Sequence, residues 1–334
     1  MADLTTTYLG LKLPTPIVIS SNPLTADIDH IQHMEQVGVG AIILPSLFEE
    51  QLTLEDSGLN YYRRYNSESI PPALRDIPDM QQYNKGASGY LAYIYQAKKR
   101  INIPIIASLN GTSKGGWLRH AQQLISVGAD AIELNIYHLP TELYLTGEDV
   151  EGVYLRLVEA LKKNLDVPIA VKLSPYFSAI PNFTKKLADV GADGVVFFNR
   201  FYQPDFDIDN ELVMPNLQLS QSHELLLRLR WVAILYEQIP IEFGVTGGVH
   251  TGSDVIKTLL AGGTVAMMAS AILKHGVDHV SVCLAEIQQW MERHEYTHLG
   301  QVRGRMSQRH VANPTSLERA NYMHVLQSYA ANQK

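Results

Sequence analysis

Four segments of this chain open on proline and run straight into a short β-branched stretch: Pro16-IVISS, Pro104-IIASLN, Pro168-IAVKLS and Pro240-IEFGVTG. Four others open on a glycine-containing turn: VGVGAIILPS (37–46), VGADAIELN (127–135), VGADGVVFFN (190–199) and AGGTVAMMAS (261–270). The two kinds alternate along the chain. Each reads as a buried parallel strand, with proline tolerated as the first strand residue and glycine ending the preceding helix. Between them lie stretches of helical periodicity, at 115–127, 149–164, 180–190 and 222–238, each long enough for a crossover helix. Eight such units predict an α/β chain closed as a (β/α)8 TIM barrel. Residues 1–295 are expected to form this barrel, and 296–334 a C-terminal tail packed on it. The connections after the second strand (about 47–83) and after the sixth (about 200–221) are long for plain turns and are expected to cap a site.

Composition excludes several alternatives. The formal charge of −7 is spread without a block of like sign, so no nucleic-acid surface is expected. The start, MADLTTTYLG, lacks a basic segment leading into an apolar run, and the longest apolar stretches are strand-sized. Neither a signal peptide nor a membrane span is expected. The lone Cys283 rules out an internal disulfide, reads as a core residue of a last helix, and makes a reducing, cytoplasmic location the default. His30, His33, His120 and His279 read as helix residues, and no metal site is expected.

Barrels of this kind carry chemistry at the carboxyl ends of their strands. Polar residues gather there: Ser20 and Ser21 after the first strand, Ser46 after the second, Asn110 after the third, and Asn135 and His138 after the fourth. Lys172 lies in the fifth, Asn199 and Arg200 follow the sixth, Thr246 the seventh, and Ala269 and Ser270 the eighth. Any single serine or asparagine here is better read as a solvated strand end. Lys172 differs, because AVKLSP is a barrel-interior run in which an unpaired ammonium is costly, and an anionic ligand would offset that cost. Gly247-Gly248, followed by a helix capped near Ser253, reads as a phosphate cradle of exposed backbone amides.

Together these residues resemble the dihydroorotate dehydrogenases, over about residues 4 to 295. The resemblance is carried by IELN (132–135), VKLSPYF (171–177), Asn199 and TGGVHTGSDVIKTLLAGGT (246–264), the last shared with many FMN-binding barrels. It implies FMN as cofactor, with Lys172 beside the flavin N1/O2 edge and Ser20 and Ser21 along the ring. Asn135 and Asn199 would hydrogen-bond pyrimidine or flavin. Gly247, Gly248, Ala269 and Ser270 would hold the phosphate behind Thr246, with Ser46 and Asn110 near the cofactor. In the implied reaction a base removes the C5 proton of dihydroorotate while hydride passes from C6 to flavin N5, yielding orotate for pyrimidine biosynthesis. The branch it resembles is class 1, with a homodimer and either a small-molecule acceptor or an electron-accepting partner protein expected.

The sequence also departs from that pattern. The Cys or Ser base expected after ELN is replaced by Ile136-Tyr137-His138, and an imidazole, titrating near about 6.5, suits proton abstraction better than a phenol near about 10. His138 is thus the candidate base, with a loop histidine of no role the alternative. A lysine expected at the end of the second strand is Leu44-Pro45-Ser46, and the asparagine-rich second loop is SIPPALRDIPD (69–79). Arg200, and Arg63 or Arg64, are candidates for binding a substrate carboxylate, or else solvated loop arginines. Two other functions stay open: a flavin oxidoreductase for a different substrate, and a non-catalytic flavin- or phosphate-binding subunit.

Overall fold

A computed structural model describes residues 1–51, 86–111 and 117–331. Its centre is a closed parallel barrel of eight strands: β3 (Ile17–Ile19), β4 (Ala41–Phe48), β5 (Ile105–Asn110), β6 (Ala131–Leu134), β7 (Ile169–Leu173), β8 (Gly194–Phe197), β11 (Glu242–Thr246) and β12 (Val265–Met268). Each neighbours the next in chain order and β12 pairs with β3, which closes the ring. All eight sequence segments are strands, and the (β/α)8 fold is the one that the repeat predicts.

The physical basis of the repeat is visible at the strand starts. Gly38, Gly128, Gly191 and Gly262 all have positive φ, between 94° and 114°, where the preceding helix ends and the chain turns into a strand. A side chain next to these glycines then staples neighbouring strands. Asp130 accepts from Ile105 N and Lys98 Nζ, Asp193 from Ile169 N and Lys162 Nζ, and Thr264 Oγ1 from Phe243 N. The Lys98 and Lys162 pairs are partly solvated, so their value is mostly the hydrogen bond to the strand amide, about 1 kcal/mol each.

Two features were not expected. β1 (Thr6–Tyr8) and β2 (Leu11–Leu13) form a hairpin whose turn residues Leu9 and Gly10 both have positive φ, the backbone that two-residue hairpins favour. It plugs the amino end of the barrel, with Tyr8, Leu9 and Leu13 packed among Val18, Ile106 and Val196. A second hairpin, β9 (Asp205–Asp207) with β10 (Leu212–Met214), occupies the connection after β8.

The second barrel strand also runs on to Phe48, so Ser46 lies within it and not after it. Its pairing with β5 shifts register between Ile43 and Ser46, around Pro45, which has no amide to donate. Beyond the last helix packed on the barrel, His279–Arg293, the amides of Gly304, Met306 and Gln308 donate to the carbonyls of Leu259, Leu260 and Ala233. Among the described residues no helix is long and apolar enough to cross a membrane.

Candidate active site

A parallel barrel brings the carboxyl ends of all eight strands to one mouth. A cavity of about 460 Å³ opens there, within the usual range for ligand pockets. Ser20, Ser21, Lys172, Asn199 and Arg200 line one part of it, and Thr246, Gly247, Gly248, Ala269 and Ser270 another. Ser46, Asn110, Asn135 and His138 are not among its lining residues. Two of them are joined to it through side-chain amides: Asn199 Nδ2 donates to Asn135 Oδ1 at 2.6 Å, Asn135 Nδ2 donates to Ser46 Oγ at 3.2 Å, and Ser46 Oγ lies 2.8 Å from Ser108 Oγ. Asn110 is the buried last residue of β5. Arg63, Arg64 and the 69–79 segment lie outside the described residues.

The cost of burying Lys172 is met differently from the sequence-based expectation of an anionic ligand alone. The residue is only 6% exposed, and the carboxylate of Glu133, 1% exposed, stands 3.5 Å from Nζ at Oε1. Ser20 Oγ lies at the same distance from Nζ, and Thr246 Oγ1 lies 3.5 Å from that hydroxyl. Glu133 sits inside IELN, where nothing in the sequence pattern marks it as facing the lysine. The register of β6 between β5 and β7, Ser108↔Glu133↔Ala170, points its side chain into the barrel.

The diglycine turn has the left-handed backbone that glycine allows, and the helix behind it already has a side-chain anion at its start. Gly247 and Gly248 have φ of 83° and 87°. The following helix, Gly252–Ala261, is capped by Thr251 in a reciprocal box with Asp254, not at Ser253. The buried Asp254 carboxylate takes the amides of His250 and Thr251 and the hydroxyl of Ser222, so that N-terminus already has its anion. The short helix Ser270–His275, by contrast, has no side-chain cap at Ala269. Ser220, unflagged by sequence, ties the two halves together: its Oγ accepts from Gly248 N at 3.2 Å and its amide donates to Ser270 Oγ at 3.0 Å. Arg228, 6% exposed, donates to the carbonyls of Thr246 and Glu224, which fixes the strand end that carries the diglycine. LLLRLRWVAIL carries two arginines, Arg228 and Arg230, and the apolar run around them does not tell which one turns inward.

Around the mouth the loops after β6 and β8 lean on each other. The Tyr137 ring stacks on Phe201 at 4.2 Å, and its hydroxyl accepts from Tyr202 N at 2.8 Å. Burial raises the Tyr137 phenol above its ordinary pKa, which removes it further from the role of base. His138, next in sequence, is half-buried, and its Nε2 is fully buried without a hydrogen-bond partner among the described residues. Arg200 is on the rim, paired with Glu224 at 3.2 Å.

A closed parallel barrel with a ligand-sized cavity at its carboxyl mouth, floored by a buried lysine and walled by a diglycine turn, defines a (β/α)8 barrel of the enzyme-bearing kind. The family model for dihydroorotate dehydrogenase matches residues 3–291, and the chain belongs to that family of oxidoreductases. The catalytic subunit of dihydroorotate dehydrogenase B (NAD(+)) from Endomicrobium trichonymphae is 25% identical over 277 residues, covering 81% of this chain and 87% of its own. The protein of the same description from Methanosarcina acetivorans is 25% identical over 300 residues, covering 88% and 93%. That from Geobacter sp. strain M21 is 24% identical over 277 residues, covering 80% and 87%.

Proposed function

We propose that the chain is an FMN-dependent dehydrogenase that takes a hydride from dihydroorotate or a related cyclic, anionic substrate at a CH–CH bond. The observation that carries this reading is one cavity holding the diglycine turn, the uncapped helix start at Ala269, and Lys172 with Asn199. These donors fit FMN: positive-φ glycines with a free helix start suit a phosphate monoester, and a buried ammonium suits a ring that gains negative charge. Gly247, Gly248, Ala269 and Ser270 would hold the phosphate, and Ser20, Ser21, Lys172 and Thr246 the ring, with Ser46 and Asn110 beside them. Bound FMN would supply the hydride acceptor.

The protein's own part is positioning and proton transfer. Asn199, which lines the cavity and is fixed by Asn135, would present its free Oδ1 to the substrate ring, and Asn135 would hold it there or bond the ring itself after a small turn. His138 would take the proton from the loop after β6; it stands behind the cavity lining, and its Nε2 has no hydrogen-bond partner among the described residues that would compete for that role. Arg200 would turn from Glu224 to a substrate carboxylate. The relatives are described as catalytic subunits, which supports a partner protein as electron acceptor; a homodimer and a cytoplasmic setting belong to the same reading through the family resemblance alone. Purified protein should be yellow, and dihydroorotate should bleach it under anaerobic conditions. A protein that cannot be loaded with FMN would sink the reading.

A second reading, a flavin oxidoreductase for another substrate, is favoured by one observation: Leu44 and Pro45 stand where the family carries a lysine, and Ser46 there bonds to Ser108 and Asn135. Bleaching by other reduced substrates but not by dihydroorotate would select it.

A further inference from the structure

Two polar side chains inside the barrel each carry a buried atom that no described residue satisfies: the Tyr8 phenol oxygen and Glu133 Oε2. Tyr8 enters from the floor hairpin, and Glu133 from the middle of the barrel wall. Glycines make the room, since a Cβ on Gly244 would stand 3.1 Å from the phenol oxygen and one on Gly194 3.6 Å. The small residues Ala131 and Ala170 belong to the same buried cluster as Tyr8. Burial, with Glu133 and Glu242 as negative neighbours, holds the phenol well above its ordinary pKa, so it remains a neutral donor. A donor lacking an acceptor and an acceptor lacking a donor, both in one interior, are what a single internal water satisfies. The other Glu133 oxygen faces Lys172, which reaches the mouth.

We propose that Glu133 is a positioning residue that offsets the charge Lys172 offers to a bound anion, and that its second oxygen is held through one internal water by the Tyr8 phenol. The floor plug is thereby coupled to the ligand site. This rests on the reading that FMN binds beside Lys172. With Glu133 ionised, the lysine and its partner are together neutral, and negative charge gained by a ligand above is stabilised by only part of the ammonium's field. Removing the carboxylate charge leaves the full field.

The test uses the FMN-loaded protein with Glu133→Gln, Glu133→Asp and Tyr8→Phe. Glu133→Gln is expected to favour the reduced flavin at least tenfold, an upward shift in midpoint potential of about 30 mV for a two-electron couple. Glu133→Asp, which keeps the charge, should stay close to the parent. A residue of purely structural role would change stability without this charge-dependent direction. An unchanged or lowered potential in Glu133→Gln overturns the proposal. A crystal structure should show an ordered water within hydrogen-bonding reach of both Tyr8 Oη and Glu133 Oε2, and a dry gap there overturns the link to the floor. If the protein takes up no flavin, the functional reading fails by itself. The water and a Tyr8→Phe/Glu133→Gln cycle in thermal unfolding then decide: coupling between the two substitutions supports the proposal and additivity overturns it.

Discussion

Asn199 donates from its amide to Oδ1 of Asn135 at 2.6 Å, tying the carboxyl end of β8 to that of β6 across the intervening β7. Each asparagine thereby fixes which way the other's amide points. Replacing either with alanine frees the partner to rotate as well as removing a contact. Asn135→Ala and Asn199→Ala should each slow substrate-driven flavin reduction about tenfold, the worth of a well-placed hydrogen bond. The double variant should fall little further, because the first substitution already disorders the pair. Rapid-mixing measurement of flavin reduction for the four proteins checks this, and simple additivity would show that the asparagines act separately.

The two glycines of the cradle should not be equivalent. A Cβ on Gly248 would collide with the backbone nitrogen of Leu225, which cannot move without its helix. One on Gly247 would meet the Arg228 guanidinium at 2.9 Å, the end of a side chain. Both positions have positive φ, so both substitutions strain the backbone. Gly248→Ala is expected to weaken FMN binding more than about tenfold and more than Gly247→Ala does. Flavin fluorescence titration of the apoproteins reads the order directly.

Much of the fold was legible because its punctuation is local. A proline needing no ladder donor and a glycine in a left-handed turn mark strand starts wherever they occur, and all eight were marked. The cap was expected near Ser253 and lies at Thr251, although the pattern favours Thr251, which has Asp254 at the third helical position whereas Ser253 has Ile256. What escaped the sequence depends on closure of the barrel. Glu133 lies in a strand of four residues, and only the register with β5 and β7 shows that it faces Lys172. Ser220 meets Gly248 and Ser270 from a connection with no periodicity to reveal its direction.

Acid should loosen the cradle through His250. Its Nε2 lies 3.2 Å from Ser220 Oγ and its amide is held by Asp254. Burial lowers its pKa, with Lys274 and His275 adding to the effect and Asp254 opposing it. The unfolded chain, with an imidazole titrating near about 6.5, therefore takes up this proton before the folded one does. Stability is unaffected well above that pH, and falls as pH drops through it toward the lower folded value. His250→Gln should flatten this acid limb. Melting temperatures between about pH 8 and 5 for the two proteins test it, and parallel curves would remove His250 as the cause.

The choice of base has the largest consequence for function. Tyr137 and His138 are neighbours, yet their surroundings separate them. The tyrosine ring is committed to Phe201, its hydroxyl accepts from Tyr202 N, and burial raises its pKa, while the imidazole Nε2 is buried with no partner among the described residues. A group that removes a proton needs an unused acceptor, and Nε2 of a neutral imidazole can be one. His138→Ala should therefore retain FMN and its yellow colour, yet lose about 10²- to 10⁴-fold in the rate of flavin reduction by substrate, the usual range for a general base. Tyr137→Phe should lose far less, through looser packing of the two loops. Equal losses would point to the loop's shape, and an unchanged rate in His138→Ala would move the search for the base to the segment between residues 51 and 86.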